Sequence, residues 1–113
     1  MKNLRIILLV FAFNSPVFAD LEQPIQLDAG QITGTSMESG VQAFLGIPFA
    51  SPPVGDLRWR EPQPVIPWAG VKVMDRKGPD CMQSRNTNLM SEDCLYLNVW
   101  TGAQSSADEL PVL

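Results

Sequence analysis

The sequence predicts a mostly β chain that forms one part of a larger sheet. Three observations carry this prediction. Short extended segments recur through residues 25–101, residues 20–113 contain no amphipathic helix of useful length, and residues 110–113 form an apolar run at which the sequence stops. Chain ends are usually polar or loosely ordered. We therefore expect further strands and helices to complete the sheet.

The first nineteen residues have the features of a secretory signal peptide. Lys2 and Arg5 provide a positive start, residues 6–13 are uninterruptedly apolar, and modest side chains precede a cleavage site after Ala19. A transmembrane helix needs roughly 20 apolar residues, more than this run supplies. The alternatives are an uncleaved anchor and a buried strand. We expect a secreted or periplasmic protein with no membrane span after cleavage.

The mature chain, residues 20–113, is acidic and poor in metal ligands. Cleavage removes two of the eight basic residues and none of the twelve acidic ones, which leaves a net charge of −6. A chain with this acidic charge lacks the excess of basic residues that binds phosphate backbones, so nucleic acid is not an expected partner. With no histidine and two cysteines the chain cannot supply four zinc ligands of the usual kind. We expect neither a metal nor a cofactor.

Cys81 and Cys94 are the two cysteines. In an oxidising compartment an even count favours a disulfide over free thiols. Closing a loop of this length stabilises a fold by about 3 kcal/mol on the chain-entropy estimate. We therefore expect these two cysteines to be bonded.

The extended segments follow a simple order. Residues 25–35 and 41–46 are predicted to pair as a hairpin, because a glycine-bearing turn at residues 37–40 separates them. Residues 71–74 are predicted to form a short strand, and residues 95–101 the clearest one. In that last strand, apolar side chains on one face alternate with a mixed set on the other. The two faces are Leu95, Leu97 and Val99, and Tyr96, Asn98 and Trp100.

Six prolines fall within residues 48–67, which excludes a helix through that stretch. A proline-rich linker or a polyproline ligand is one interpretation. Aromatic and aliphatic residues are interleaved throughout, however, and a solvated linker would not carry two tryptophans in and beside it. We expect an ordered loop packed against a larger body.

Three stretches together resemble the type-B carboxylesterases, the family that includes the cholinesterases. They are FLGIPFASPPVGDLRW at residues 44–59, PWAGV at residues 67–71 and SEDCLYLNVW at residues 91–100. Each match is short, but all three occur in the right order within sixty residues. The resemblance implies an α/β fold, the α/β-hydrolase fold, of which this chain would hold the mostly-β N-terminal strands and loops.

The resemblance also implies a small-molecule ester as the substrate of the full-length parent. In the cholinesterases the disulfide loop carries a choline-binding tryptophan, whereas residues 82–93 contain none. This difference argues against cholinesterase specificity.

Catalysis in this family needs a serine on a G-x-S-x-G turn, a histidine base, an acid and a glycine-rich oxyanion loop. The chain has no histidine, and the segment around Ser36, G-T-S-M-E, lacks the second glycine. We interpret that segment as turn chemistry and assign no catalytic residue. The family order places every reacting group beyond Leu113.

The residues carried over from the family are structural. The resemblance implies the Cys81–Cys94 disulfide and an ion pair between Arg58 and Glu92, with ordinary surface solvation of both charges as the alternative. The three tryptophans are interpreted as packing residues rather than a substrate box. Two other functions stay open: a binding or adhesion relative without a triad, and a small self-contained domain stapled by its disulfide.

Overall fold

The computed structural model describes residues 23–84, 89–105 and 107–111. The predicted signal peptide and its cleavage site lie outside these residues. The regular elements are six strands and one 3₁₀ helix: β1 (Ile25–Leu27), β2 (Gly30–Thr33), β3 (Thr35–Ser36), β4 (Gln42–Pro48), the 3₁₀ helix (Gly55–Leu57), β5 (Val71–Val73) and β6 (Tyr96–Thr101).

The strands form two three-stranded sheets. In the first, β2 lies between β1 and β5, antiparallel to β1 and parallel to β5. In the second, β4 lies between β3 and β6 and is antiparallel to both. The predicted hairpin across residues 37–40 is present as β3 and β4. The segment before it divides into β1 and β2, which form a hairpin of their own, and the start of β3.

Met74 joins the two sheets. Its N–H donates to the Thr33 carbonyl at the end of β2 (2.8 Å), and its carbonyl accepts the Leu45 N–H of β4 (2.9 Å). Its side chain is buried with Ile32 and Phe44, and half-buried apolar residues surround this small core. The surrounding residues are Ile25, Leu27, Ile47 and Trp68. The core therefore lies at the junction between the sheets.

Strand β4 contains a bulge at Gly46. The register with β6 shifts between Leu45 and Ile47, and Gly46 adopts a positive φ of 76°. The side-chain oxygen of Asn98 in β6 accepts the Gly46 N–H (2.9 Å), so the amide released by the bulge keeps a partner. The family-like motif L-N-V-W thus supplies the residue that completes the bulge.

The proline-rich stretch is ordered by its own hydrogen bonds. The Ser51 N–H donates to the Gln63 carbonyl (2.9 Å), the Ser51 hydroxyl donates to the Pro64 carbonyl, and both Ala50 and Ser51 are buried. Apart from the three-residue 3₁₀ helix it contains no regular element. Several of its large apolar side chains are exposed among the described residues, including Phe49, Trp59 and Ile66.

Strand β6 is confirmed, one residue shorter than predicted. It forms an edge of its sheet, and Leu97 and Val99 on its predicted apolar face are each 39% exposed. In the apolar run at residues 110–113, Leu110 and Pro111 are in no strand, and the last two residues lie outside those that the structure describes.

Candidate functional site

The loop closed by Cys81 and Cys94 brings together the four site residues that the sequence singled out. The two cysteines are joined by a disulfide, with their Cα atoms 5.0 Å apart. The Arg58 guanidinium forms an ion pair with the Glu92 carboxylate. Its Nε donates to Oε2 at 3.0 Å, and its Nη2 lies 2.5 Å from both carboxylate oxygens. Arg58 directly follows the 3₁₀ helix, so the ion pair ties the proline-rich stretch to the disulfide loop.

This ion pair is at the surface. The side chains of Arg58 and Glu92 are 54% and 43% exposed. Exposed pairs contribute little to stability, typically 0.2 to about 1 kcal/mol. The value of this contact is therefore geometric, since a planar guanidinium on a carboxylate fixes the relative orientation of two segments.

The tryptophans have different environments. Trp68 is half-buried: its indole N–H donates to the Gln31 carbonyl (3.0 Å), and its ring lies against Gly30, where an added Cβ would come within 2.5 Å of the indole nitrogen. Trp68 is therefore a packing residue. Trp59 is fully exposed at a φ of 60°. Trp100 is 50% exposed, and the Lys77 ammonium lies 5.7 Å from the centroid of its ring.

Beside the ion pair lies a shallow cavity of about 280 Å³, lined by Pro53, Arg58, Trp59, Met82 and Glu92. A second cavity of about 360 Å³ is mostly apolar, with Lys72 and Tyr96 as its polar members. Neither lining contains a serine or a cysteine. Small-ligand sites need a few convergent polar groups, which these two cavities do not supply for ester chemistry.

Ser36 lies in β3 rather than in the turn that we expected. Its hydroxyl accepts a hydrogen bond from the Gln42 side chain (2.9 Å). Gln42 is buried in β4, and its side-chain oxygen Oε1 accepts a hydrogen bond from the Gln23 side-chain amide (3.0 Å). The G-T-S-M-E segment therefore pairs with β4 just before the turn. This environment is a strand hydrogen-bond network and not a nucleophile elbow.

The sequence interpretation missed a pair at the start of β6. Tyr96 hydrogen-bonds to the Asp93 side chain, and burial, followed by that hydrogen bond and the Asp93 charge, raises the pKa of the tyrosine hydroxyl above its ordinary value of 10.0. The spacing of three residues in D-C-L-Y was available as a signal. In the part of the chain that the structure describes, no group of three or more His, Cys, Asp or Glu residues is placed to hold a metal ion.

Comparison with known proteins decides the family. The sequence profile of the carboxylesterase family matches residues 22–113. The chain belongs to the carboxylesterase family. Similar carboxylesterase-family sequences include fumonisin B1 esterase of Sphingopyxis macrogoltabida (43% identical over 87% of this chain), pyrethroid hydrolase Ces2e of Rattus norvegicus (39%, 83%) and acetylcholinesterase of Gallus gallus (37%, 91%).

The chain spans a small share of those carboxylesterase relatives: 19%, 20% and 15% of their respective lengths. Among solved structures, the carboxylesterase EST55 of Geobacillus stearothermophilus is similar, with a TM-score of 0.63 and 39% identity over 70% of this chain and 16% of that one. The α/β-hydrolase class is thereby shown, with the mostly-β segment described here as one part of it. No helix among the described residues has the length and hydropathy to cross a bilayer.

Proposed function

We propose that this chain is the N-terminal part of a secreted serine carboxylic-ester hydrolase and that it supports the site without supplying a reacting group. One observation carries the proposal. The carboxylesterase profile covers residues 22–113, yet the chain has no histidine and no G-x-S-x-G motif. Acyl transfer by this type of enzyme requires both a base and an activated serine.

Secretion is part of the same proposal. It is supported by the positive start, the apolar run at residues 6–13 and the cleavage site after Ala19. A disulfide between Cys81 and Cys94 agrees with export, because such bonds persist in oxidising compartments. The substrate class is a carboxylic ester, and the acyl and alcohol pockets belong to later segments of the parent.

One preparation tests these statements. The 113-residue chain is expressed with its own leader, the exported product is purified and its N-terminus is sequenced, and the product is assayed with p-nitrophenyl acetate. We expect the sequence to start at Asp20 and the hydrolysis to be no faster than that of an equal mass of albumin. Saturable turnover that a single serine-to-alanine substitution abolishes would refute the non-catalytic role.

A further inference from the structure

Backbone hydrogen bonds, in addition to the disulfide, join the two sides of the loop at its base. The Asp80 N–H donates to the Leu89 carbonyl (2.9 Å), and the Ser91 N–H donates to the Asp80 carbonyl (2.9 Å). These bonds form an isolated parallel bridge between Asp80 and Met90. Asp80 directly precedes Cys81, so the bridge places that cysteine beside the returning chain.

The other cysteine is fixed from two directions. On one side, the Leu95 carbonyl accepts the Phe49 N–H (3.1 Å) at the end of β4, which anchors the residue after Cys94 to the sheet. On the other side, Glu92, two residues before Cys94, is held by Arg58 through three contacts of 2.5–3.0 Å. The Ser91 hydroxyl also accepts the Asp93 N–H (3.1 Å), which orders the residues between Glu92 and Cys94.

We propose that the Asp80 bridge and the Arg58–Glu92 ion pair form a non-covalent clamp that positions Cys81 and Cys94 for disulfide exchange. The clamp keeps the two thiols close in the reduced chain and so raises their effective concentration toward each other. An exposed ion pair contributes little to stability, but it can still fix the orientation of the two segments that carry the cysteines.

The exchange can be measured with dithiothreitol, an uncharged reagent. One thiolate of the reagent attacks a sulfur of the disulfide, and the S–S bond breaks. The second thiol of the reagent then displaces the protein sulfur. Two electrons and two protons pass to the protein, which becomes the dithiol, while the reagent closes to its cyclic disulfide. The equilibrium ratio of the four species gives the effective concentration of the two cysteines relative to that of the reagent's own two thiols.

The test compares E92Q, R58Q and the double variant with the mature wild-type chain at micromolar concentration. E61Q is the matched control, because Glu61 is exposed, lies near Arg58 in sequence and undergoes the same charge change. We expect each single variant to lower the effective concentration roughly 1.4- to 5-fold, the range that an exposed ion pair supports. The double variant should go no lower than either single one, and E61Q should match the wild type.

A second measurement needs no variant. Hydrogen exchange of the reduced wild-type chain should still show protection of the Asp80 and Ser91 amides, because the bridge does not depend on the disulfide. High sodium chloride should lower the wild-type effective concentration and leave that of E92Q unchanged, since salt screens exposed charges. Equal values for E92Q and the wild type, or loss of both protected amides on reduction, would overturn the clamp.

Discussion

Tyr96 is the single tyrosine of the chain, and its hydroxyl contacts the Asp93 carboxylate at the start of β6. Burial is the main cause that raises the pKa of this hydroxyl, and the hydrogen bond and the negative charge of Asp93 add to it. Because the folded chain favours the neutral phenol, Tyr96 makes its full contribution to stability below pH 10. That contribution is lost as the pH rises through the folded pKa.

An alkaline titration tests this directly, since tyrosinate absorbance reports on Tyr96 alone. We expect the folded chain to titrate above the ordinary value of 10.0 and the urea-unfolded chain to titrate at about 10. D93N removes the negative charge beside Tyr96 but leaves the tyrosine buried. It should therefore lower the titration midpoint of the folded chain only part of the way toward that of the unfolded chain. A folded-state midpoint at or below that of the unfolded chain would contradict the assigned environment.

At single residues, the sequence was most informative where chemistry forces a pairing. Two cysteines allow one intramolecular bond, and the structure contains it. The exposure of Trp59 could not be anticipated, because the sequence shows that a side chain is apolar but not which surface covers it. The Tyr96–Asp93 contact was missed because it depends on how the chain turns into β6.

The bulge in β4 shows how one element depends on another. Gly46 and Gly70 have almost the same positive φ, 76° and 72°. They differ in their surroundings: an added Cβ at Gly46 would strike the carbonyl oxygen of Arg76, whereas at Gly70 it would meet nothing within 4 Å. Alanine substitutions at these two glycines therefore separate the cost of backbone strain from the cost of a steric clash.

We expect G70A to lower the free energy of unfolding by about 1 kcal/mol, the cost of a left-handed backbone for alanine. G46A should cost roughly 2 kcal/mol more, because its added Cβ would clash with a backbone oxygen, that of Arg76, rather than with the end of a flexible side chain. Urea unfolding followed by tryptophan fluorescence, in an osmolyte that favours the compact state, measures both. Equal losses for the two variants would show that the packing around the bulge is not as described.

Element positions were easier to predict than their pairings. The turn at residues 37–40, the strand at residues 71–74 and the strand at residues 95–101 all occur close to where the pattern placed them. Two features were not predictable from local pattern: the parallel pairing of β5 with β2 and the bulge at Gly46. Both require contacts between segments far apart in sequence, the first across the whole proline-rich stretch.

On the scale of the molecule, the open edge of β6 and its exposed apolar residues are the main liability. Leu97, Val99 and Trp100 are 39–50% exposed, and no strand among the described residues pairs with the outer edge of β6. Such an edge is a template for pairing with another chain. Within the proposed esterase, later segments of the parent would cover this surface.

We therefore expect the mature product, residues 20–113, to self-associate as its concentration rises. V99K places a charge on the edge strand and should shift the distribution in sedimentation velocity toward the monomer. Q63K adds the same charge at an exposed position outside any strand and should leave the association unchanged. A wild-type chain that stays monomeric with a sharp thermal transition would instead favour a self-contained domain.

The sequence also indicated the family, because three motifs in order are specific even when each one is short. It did not indicate which ester is the substrate. What remains to be tested is whether the reacting serine lies outside this chain.

The most direct measurement is active-site labelling of the native exported protein with a fluorophosphonate, followed by mapping of the modified peptide. Our proposal predicts a labelled protein that begins at Asp20, is longer than the 113-residue chain and carries the label on a serine in a G-x-S-x-G motif beyond Leu113. Labelling of a serine within residues 20–113 would contradict it, as would a native product that ends at Leu113 and still hydrolyses esters.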